Sequence, residues 1–168
     1  MSEQMFCYQC QETAANRGCN RVGLCGKTAE VSNLQDLLLH ATKALACVSV
    51  RARKEGGQID AALNHTVTQN LCATSTNVNF DAADLKERVK DTLAKKQELL
   101  EEIPKENWDK LPRTALFTAE EEEYDKLADE VGVLATEDED VRSLRALATG
   151  GETAINIRTR ENESTAFT

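Results

Sequence analysis

Four of the six cysteines fall between positions 7 and 25: Cys7 and Cys10 form a Cys-x-x-Cys pair, eight residues precede Cys19, and five more precede Cys25. A Cys-x-x-Cys pair puts two sulfurs on one turn, able to grip one metal or adjacent corners of a cluster. The flanking loop can then fold two more sulfurs over the opposite side. Four thiolates complete the ligand set of a 2Fe-2S or 4Fe-4S cluster, and they equally satisfy a tetrahedral zinc. Zinc ribbons usually present two Cys-x-x-Cys knuckles roughly 15–20 residues apart. The compact, unequal set here suits a cluster better.

The surroundings agree with a loop wrapped closely around something. Residues 1–31 show neither a helical nor a strand period, and Gly18, Gly23 and Gly26 stand among the cysteines. Four thiolates on an oxidised 4Fe-4S core leave about two negative charges for the protein to offset. Arg17, Arg21 and Lys27 are interleaved with the ligands and are candidates for that task; a solvated loop surface is their simpler reading. The N-terminus carries no basic patch followed by an apolar stretch, so no signal or transit peptide is expected. A cytoplasmic, reducing setting follows, which favours metal ligation over disulfides.

Beyond the loop the period becomes helical. Ser32 with Gln35 reads as a capping box that opens a long helix, with Leu34, Leu37, Leu38, Ala41, Leu45, Val48 and Ala52 on one face and Gly56-Gly57 as its stop. Asp60 starts a second helix carrying Leu63, Val67 and Leu71. Asp81 caps a third, with Leu85, Val89, Leu93, Leu99, Leu100 and Ile103, which Pro104 ends. The connector to Pro112 holds Trp108 as a lid on the core. Thr118 with Glu121 opens a fourth helix through Tyr124, Leu127 and Val131 to Gly132, and Thr136 with Glu139 a fifth through Val141, Leu144 and Leu147 to Gly150-Gly151. With no sustained period of two, the expected fold is all-α: a helical bundle with an N-terminal cysteine-rich cluster-binding loop. Residues 1–31 form the loop, 32–150 the helices, and 151–168, poor in apolar groups, a disordered tail.

At 168 residues the chain has the size of one domain. Its formal charge of −9 argues against nucleic-acid or anionic-membrane partners, and no apolar run approaches the roughly 18 residues of a membrane span. The charge is uneven: residues 1–57 hold seven Lys and Arg against five Asp and Glu, the remainder 13 against 24.

The motif Met5-Phe6-Cys7-Tyr8-Gln9-Cys10-Gln11-Glu12-Thr13-Ala14, then Gly18-Cys19, Val22-Gly23, Cys25-Gly26-Lys27 and Leu34-Gln35-Asp36-Leu37-Leu38, closely resembles the start of hybrid-cluster proteins, also called prismane proteins or hydroxylamine reductases. Asn70-Leu71-Cys72-Ala73-Thr74, Thr76 to Asp81, Val131 to Thr136 and Asp140 to Arg145 resemble later stretches of the same region. The resemblance covers roughly residues 5–147. It implies an all-helical domain in which Cys7, Cys10, Cys19 and Cys25 hold a cubane 4Fe-4S cluster; members with wider spacing hold 2Fe-2S. In that family the cluster relays electrons to a second, hybrid cluster, where hydroxylamine is reduced to ammonia or nitric oxide to nitrous oxide. The His, Glu and Cys ligands of that second site belong to downstream domains that this chain is expected to lack, along with the hybrid cluster itself.

The expectation is therefore an electron-transfer module, served by a redox partner protein and by missing hybrid-cluster domains, and inactive as a reductase alone. Two alternatives stand beside it: a helical protein stapled by zinc or a redox-silent cluster, and a non-functional truncated fragment. No catalytic side chain is assigned. His40 and Cys47 lie two turns apart on one helix face, but Cys47 and Cys72 read as small buried hydrophobes. Glu120 to Glu123 read as a solvated face near a helix start.

Overall fold

The computed structural model describes residues 4–57, 60–75 and 78–147; the tail expected over 151–168 lies outside them. Helices and short 3-10 turns make up the described chain, and its only β pairing is an isolated bridge. The all-α expectation holds.

The first helix, α1, spans Ala29–Lys54, and at about 1.5 Å rise per residue is roughly 39 Å long. Thr28, not Ser32, is its N-cap: the Thr28 hydroxyl accepts the Val31 N–H at 3.2 Å. Ser32 and Gln35 are buried inside the helix, and Gln35 makes a tertiary contact, donating its amide to the Asn79 carbonyl at 3.0 Å. The helix thus begins three residues before its expected start at Ser32. Arg51, Arg53 and Lys54 crowd its last turn, where cations oppose the macrodipole, and Gly56, at φ +87°, supplies the left-handed exit.

Two further helices stand where the caps placed them. Asp60 caps α2 (Ala61–Ala73) and Asp81 caps α3 (Ala82–Glu101), its carboxylate accepting the Ala83 and Asp84 N–H groups. The N-terminal half of α1 packs Leu34, Leu37, Leu38 and Ala41 on Leu85, Val89 and Leu93. Its C-terminal half packs Val48 and Ala52 on Leu99, Leu100 and Ile103. The two helices therefore run side by side in one direction, and α2 returns between them. Every apolar position expected on the α1 and α3 faces is buried.

The face of α2 departs from expectation. Leu63, Val67 and Leu71 are only half-buried, while Thr66, Asn70 and Ala73 face inward. Asn70 donates to the Thr42 hydroxyl of α1 at 3.1 Å and to the Thr92 hydroxyl of α3 at 2.7 Å, so this helix is tied in by hydrogen bonds rather than by a leucine seam.

After Pro104, 3-10 turns over Lys105–Lys110 and Arg113–Leu116 cross the end of the bundle. Trp108 covers the second core cluster as expected, its indole N–H donating to the Ile103 carbonyl at 3.1 Å. Cys47 packs half-buried against that cluster. Lys96, nearly fully buried, donates to the Phe117 carbonyl at 2.9 Å and fixes the second turn.

The fourth helix starts later than the Thr118 signal. Glu123 accepts the Glu120 N–H at 3.3 Å, a 3-10 turn covers Glu121–Glu123, and α4 spans Tyr124–Val131. Glu120 to Glu123 are exposed, as a solvated face should be. The fifth helix, α5 (139–147), begins after Asp138, which accepts the Val141 N–H, rather than at Thr136. Its expected apolar face is turned outward: Val141, Leu144 and Leu147 are exposed, and Ala146 points into the molecule. The reason lies in its arginines. Arg142 reaches over the Phe6 ring, 5.4 Å from its centroid, and Arg145 donates to Thr136. Arg142 is thus drawn to the cysteine loop and Arg145 to the segment just before α5.

Candidate metal centre

The loop before α1 has little core of its own and is held by a few specific contacts. Cys7 and Cys19 exchange reciprocal backbone hydrogen bonds, Cys7 N–H to Cys19 carbonyl at 3.0 Å and the reverse at 2.9 Å. Phe6 anchors the first strand of the loop in a small cluster with Val133 and Ala146. Gly18 lies against the same ring at φ +115°, and a Cβ there would meet the Phe6 ring at 2.5 Å, so only glycine fits. Between them Ala15 and Asn16 take left-handed backbone angles, costing roughly 1–2 kcal/mol each in an L-residue. A loop that carries this strain needs something to compensate it.

All six cysteines are free thiols. Cys19 is buried, whereas Cys7, Cys10 and Cys25 are half-buried. Cys7 and Cys19 are brought together by the bridge. Cys10 lines a separate shallow groove with Tyr8, Gln11 and Thr13. Cys25 lies beside Gly23, where an added Cβ would stand 2.9 Å from its sulfur. Among the described residues, no three His, Cys, Asp or Glu side chains converge closely enough to hold a single metal ion.

The electrostatics separate the three loop cations that the sequence left equal. Arg17 and Arg21 are exposed. Lys27 is 2% exposed, and its ammonium donates to the Cys7 sulfur at 3.7 Å. A buried ammonium is costly unless an anion faces it. Burial pushes the Cys7 thiol above its ordinary value, with Lys27 opposing. At Cys19 burial acts the same way but is outweighed by hydrogen bonds from the Ala14 and Leu24 backbone and by the Thr13 hydroxyl, 3.9 Å from the sulfur, so that thiol is lowered.

Behind Cys7 the loop, α1 and α5 enclose a cavity of about 40 Å³. Asp36 of α1 is half-buried beside it and accepts the Val133 N–H at 3.2 Å. Burial raises Asp36 to about 6 against the pull of that N–H and of Lys27, Arg145 and Lys43. His40 lines the same cavity, stacks edge-on with Phe117 at 4.6 Å, and is pushed down by burial and by Lys43 and Arg145. It is not paired with Cys47, which lines a different groove with Val50 and Leu111.

The cysteines and Lys27 were legible as candidates; Asp36, Lys43 and Arg145 were not singled out for a role. The one available signal was the polar pair Gln35-Asp36 inside the apolar repeat of α1.

Comparison with known proteins follows the same residues. The family model described as Prismane/CO dehydrogenase family matches residues 5–159. A hydroxylamine reductase of Desulfovibrio desulfuricans is 48% identical over 152 residues, covering 90% of this chain and 28% of the relative. One of Clostridium perfringens is 42% identical over 177 residues, covering 97% and 32%, and one of Desulfitobacterium hafniense is 47% identical over 147 residues, covering 85% and 27%. The chain thus spans about three tenths of the length of the curated relatives it matches.

Proposed function

This chain belongs to the Prismane/CO dehydrogenase family, and from that premise we propose that Cys7, Cys10, Cys19 and Cys25 hold a 4Fe-4S cluster and that the chain is an electron-transfer module. Bound there, such a cluster takes up and releases one electron at a time. The observation that carries the reading is Lys27, a nearly fully buried cation whose ammonium lies 3.7 Å from the Cys7 sulfur. An ammonium out of water needs a facing negative charge, and four thiolates around an oxidised cubane supply about two.

The residues fit that group in other respects. Gly18 and Gly23 keep the loop close to Phe6 and to Cys25, where a Cβ would intrude. The reciprocal Cys7–Cys19 bonds hold two thiolates at one edge, and the loop N–H groups tune them. A tetrahedral zinc needs four sulfurs at about 2.3 Å from one point, whereas a cubane puts each sulfur on its own iron. The compact, unequal spacing of the four cysteines in the sequence supports the cluster over the zinc staple.

The matched relatives are named hydroxylamine reductases. Reduction of hydroxylamine to ammonia and water consumes two electrons and two protons, so a one-electron centre relays electrons and does not complete the reaction. We assign this chain the relay step, with a redox protein as its donor and a separate site as acceptor. The test is anaerobic reconstitution with iron and sulfide. Brown protein whose visible absorption bleaches with dithionite is expected; colourless, iron-free material overturns the reading, and zinc binding without colour selects the staple.

A further inference from the structure

The C-terminal end of α1 bears a strip that the bundle leaves uncovered. Cys47, Val50, Arg51 and Lys54 follow one another at helical spacing and so share one face of α1, and Lys110, Leu111 and Pro112 of the connector stand across from them. Between the two lies an open groove of about 360 Å³, within the size range of small-molecule sites. Its walls are apolar. Val50 is 49% exposed, while Cys47 and Leu111 belong both to the groove and to the second core cluster, against which Trp108 packs.

The rim is cationic, in a chain whose formal charge is −9. Arg51, Lys54 and Lys110 line the groove, and no acid lines it. Glu55 pairs with Arg51 and also accepts from the Asn107 amide, whose oxygen accepts from Lys110 at 2.8 Å. One carboxylate is therefore shared among these groups, Arg51 Nε is buried without a partner in the protein, and Lys54 is exposed. The carbonyls at the negative end of α1, which would repel an anion, are occupied: those of Arg51 and Ala52 accept the Glu55 and Gly57 N–H groups.

An apolar trough edged by positive charge complements an alkyl chain that ends in an anion. We infer that this groove binds a single-chain carboxylate of the fatty-acid class, its chain lying along Cys47, Val50 and Leu111 and its head group meeting Arg51, Lys54 and Lys110. A sugar phosphate would leave the apolar walls uncovered, and a cationic amphiphile would meet like charge. Each methylene taken from water adds about fourfold to affinity. Attraction between the head group and exposed cations adds up to about fivefold and is screened by salt. None of this depends on what the cysteine loop holds.

The experiment is titration of the full chain with decanoate below its micelle concentration, followed by the emission of Trp108, the only tryptophan. A saturable change is expected, about tenfold weaker for octanoate, which has two methylenes fewer, and absent for decyltrimethylammonium. Lys54→Glu and Lys110→Glu, both at exposed positions, should each weaken decanoate by about fivefold. Chemical-shift mapping of the native protein should place the ligand on the Val50 and Leu111 methyl groups, and this readout stands if a variant does not fold. No saturation, equal binding of the cationic amphiphile, shifts confined to other residues, or indifference to both charge reversals overturns the inference. Sedimentation showing a dimer that Val50→Glu disperses would assign the groove to a second copy of the chain and overturn it as well.

Discussion

The α1–α3 scaffold and the cysteine loop are held together by different physics. In the scaffold, Leu37, Leu38, Leu45, Leu85 and Val89 are fully buried, and helix-internal hydrogen bonds satisfy the backbone along the way. In the loop, a reciprocal pair of backbone bonds, one phenylalanine and a buried lysine hold a chain that visits left-handed angles at Ala15, Asn16, Gly18 and Gly26. The scaffold carries its order in its own side chains; the loop is tied down by these few contacts around the buried Lys27 ammonium. The sharpest break between them is Cys10→Ser. Iron content after reconstitution is expected to fall to background, while far-ultraviolet circular dichroism keeps its helical signal. Full iron retention would show that Cys10 is not a ligand, and a collapse of helicity would show that loop and scaffold fold as one unit.

The converse variant lies in the scaffold. Leu38→Ala removes a side chain with no exposed surface at the seam of α1, α3 and α4, and such deletions cost about 2–5 kcal/mol. Urea denaturation should place the loss in that range. A loss well below it would mean that the seam collapses to fill the gap.

How much of each region could be read in advance follows from the same contrast. Burial repeats along a helix, so the faces of α1 and α3 were legible down to individual leucines, and Asp60 and Asp81 announced their caps. Ser32 was misleading because its capping-box partner Gln35 turns away to Asn79, while Thr28 does the capping four residues earlier. On α5 the spacing of Val141, Leu144 and Leu147 suggested a core face, yet the pull of Phe6 and Thr136 on Arg142 and Arg145 turned that stripe outward. In the site, four sulfurs at close spacing were plain. That Lys27 rather than Arg17 or Arg21 faces them depends on which way the loop closes, and Asp36 was hidden inside an apolar repeat. Contacts between distant segments, such as Asp36 with Val133, leave no period to detect.

Two acids of the scaffold, Asp36 on the side that meets the loop and Asp84 on the side away from it, offer a finer test, because their shifts have opposite signs. Asp36 is raised from 3.8 to about 6, so its contribution to stability is fully present below the unfolded value and is lost as pH rises through about 6. In urea titrations of metal-free protein, Asp36→Asn should lack that fall between about 4 and 6. A variant whose stability falls with the native slope would place the loss elsewhere. Smaller still is the cap of α3. Asp81→Ala frees the Ala83 and Asp84 N–H groups and should cost about 1 kcal/mol by denaturation, with iron loading untouched.

The smallest effect belongs to Asp84, on the solvent side of α3. Its carboxylate accepts from Arg88 Nε at 2.6 Å and from the Asn79 amide at 2.6 Å, and the Arg88 hydrogen bond leads the causes that lower it below 3.8. A lowered carboxylate contributes stability above its unfolded value and loses it as pH falls through the folded one, the reverse of Asp36. Asp84 and Arg88 are both about one-third or more exposed, so water and salt screen the pair and the contribution is at most about 0.5 kcal/mol. Asp84→Asn should therefore leave stability near neutral pH almost unchanged, flatten only the acid limb, and lose even that difference in high salt. A salt-insensitive loss at neutral pH would mean that Asp84 acts through Asn79, whose backbone carbonyl accepts from Gln35 beside the cavity, and would join the two regions that the rest of the structure keeps apart.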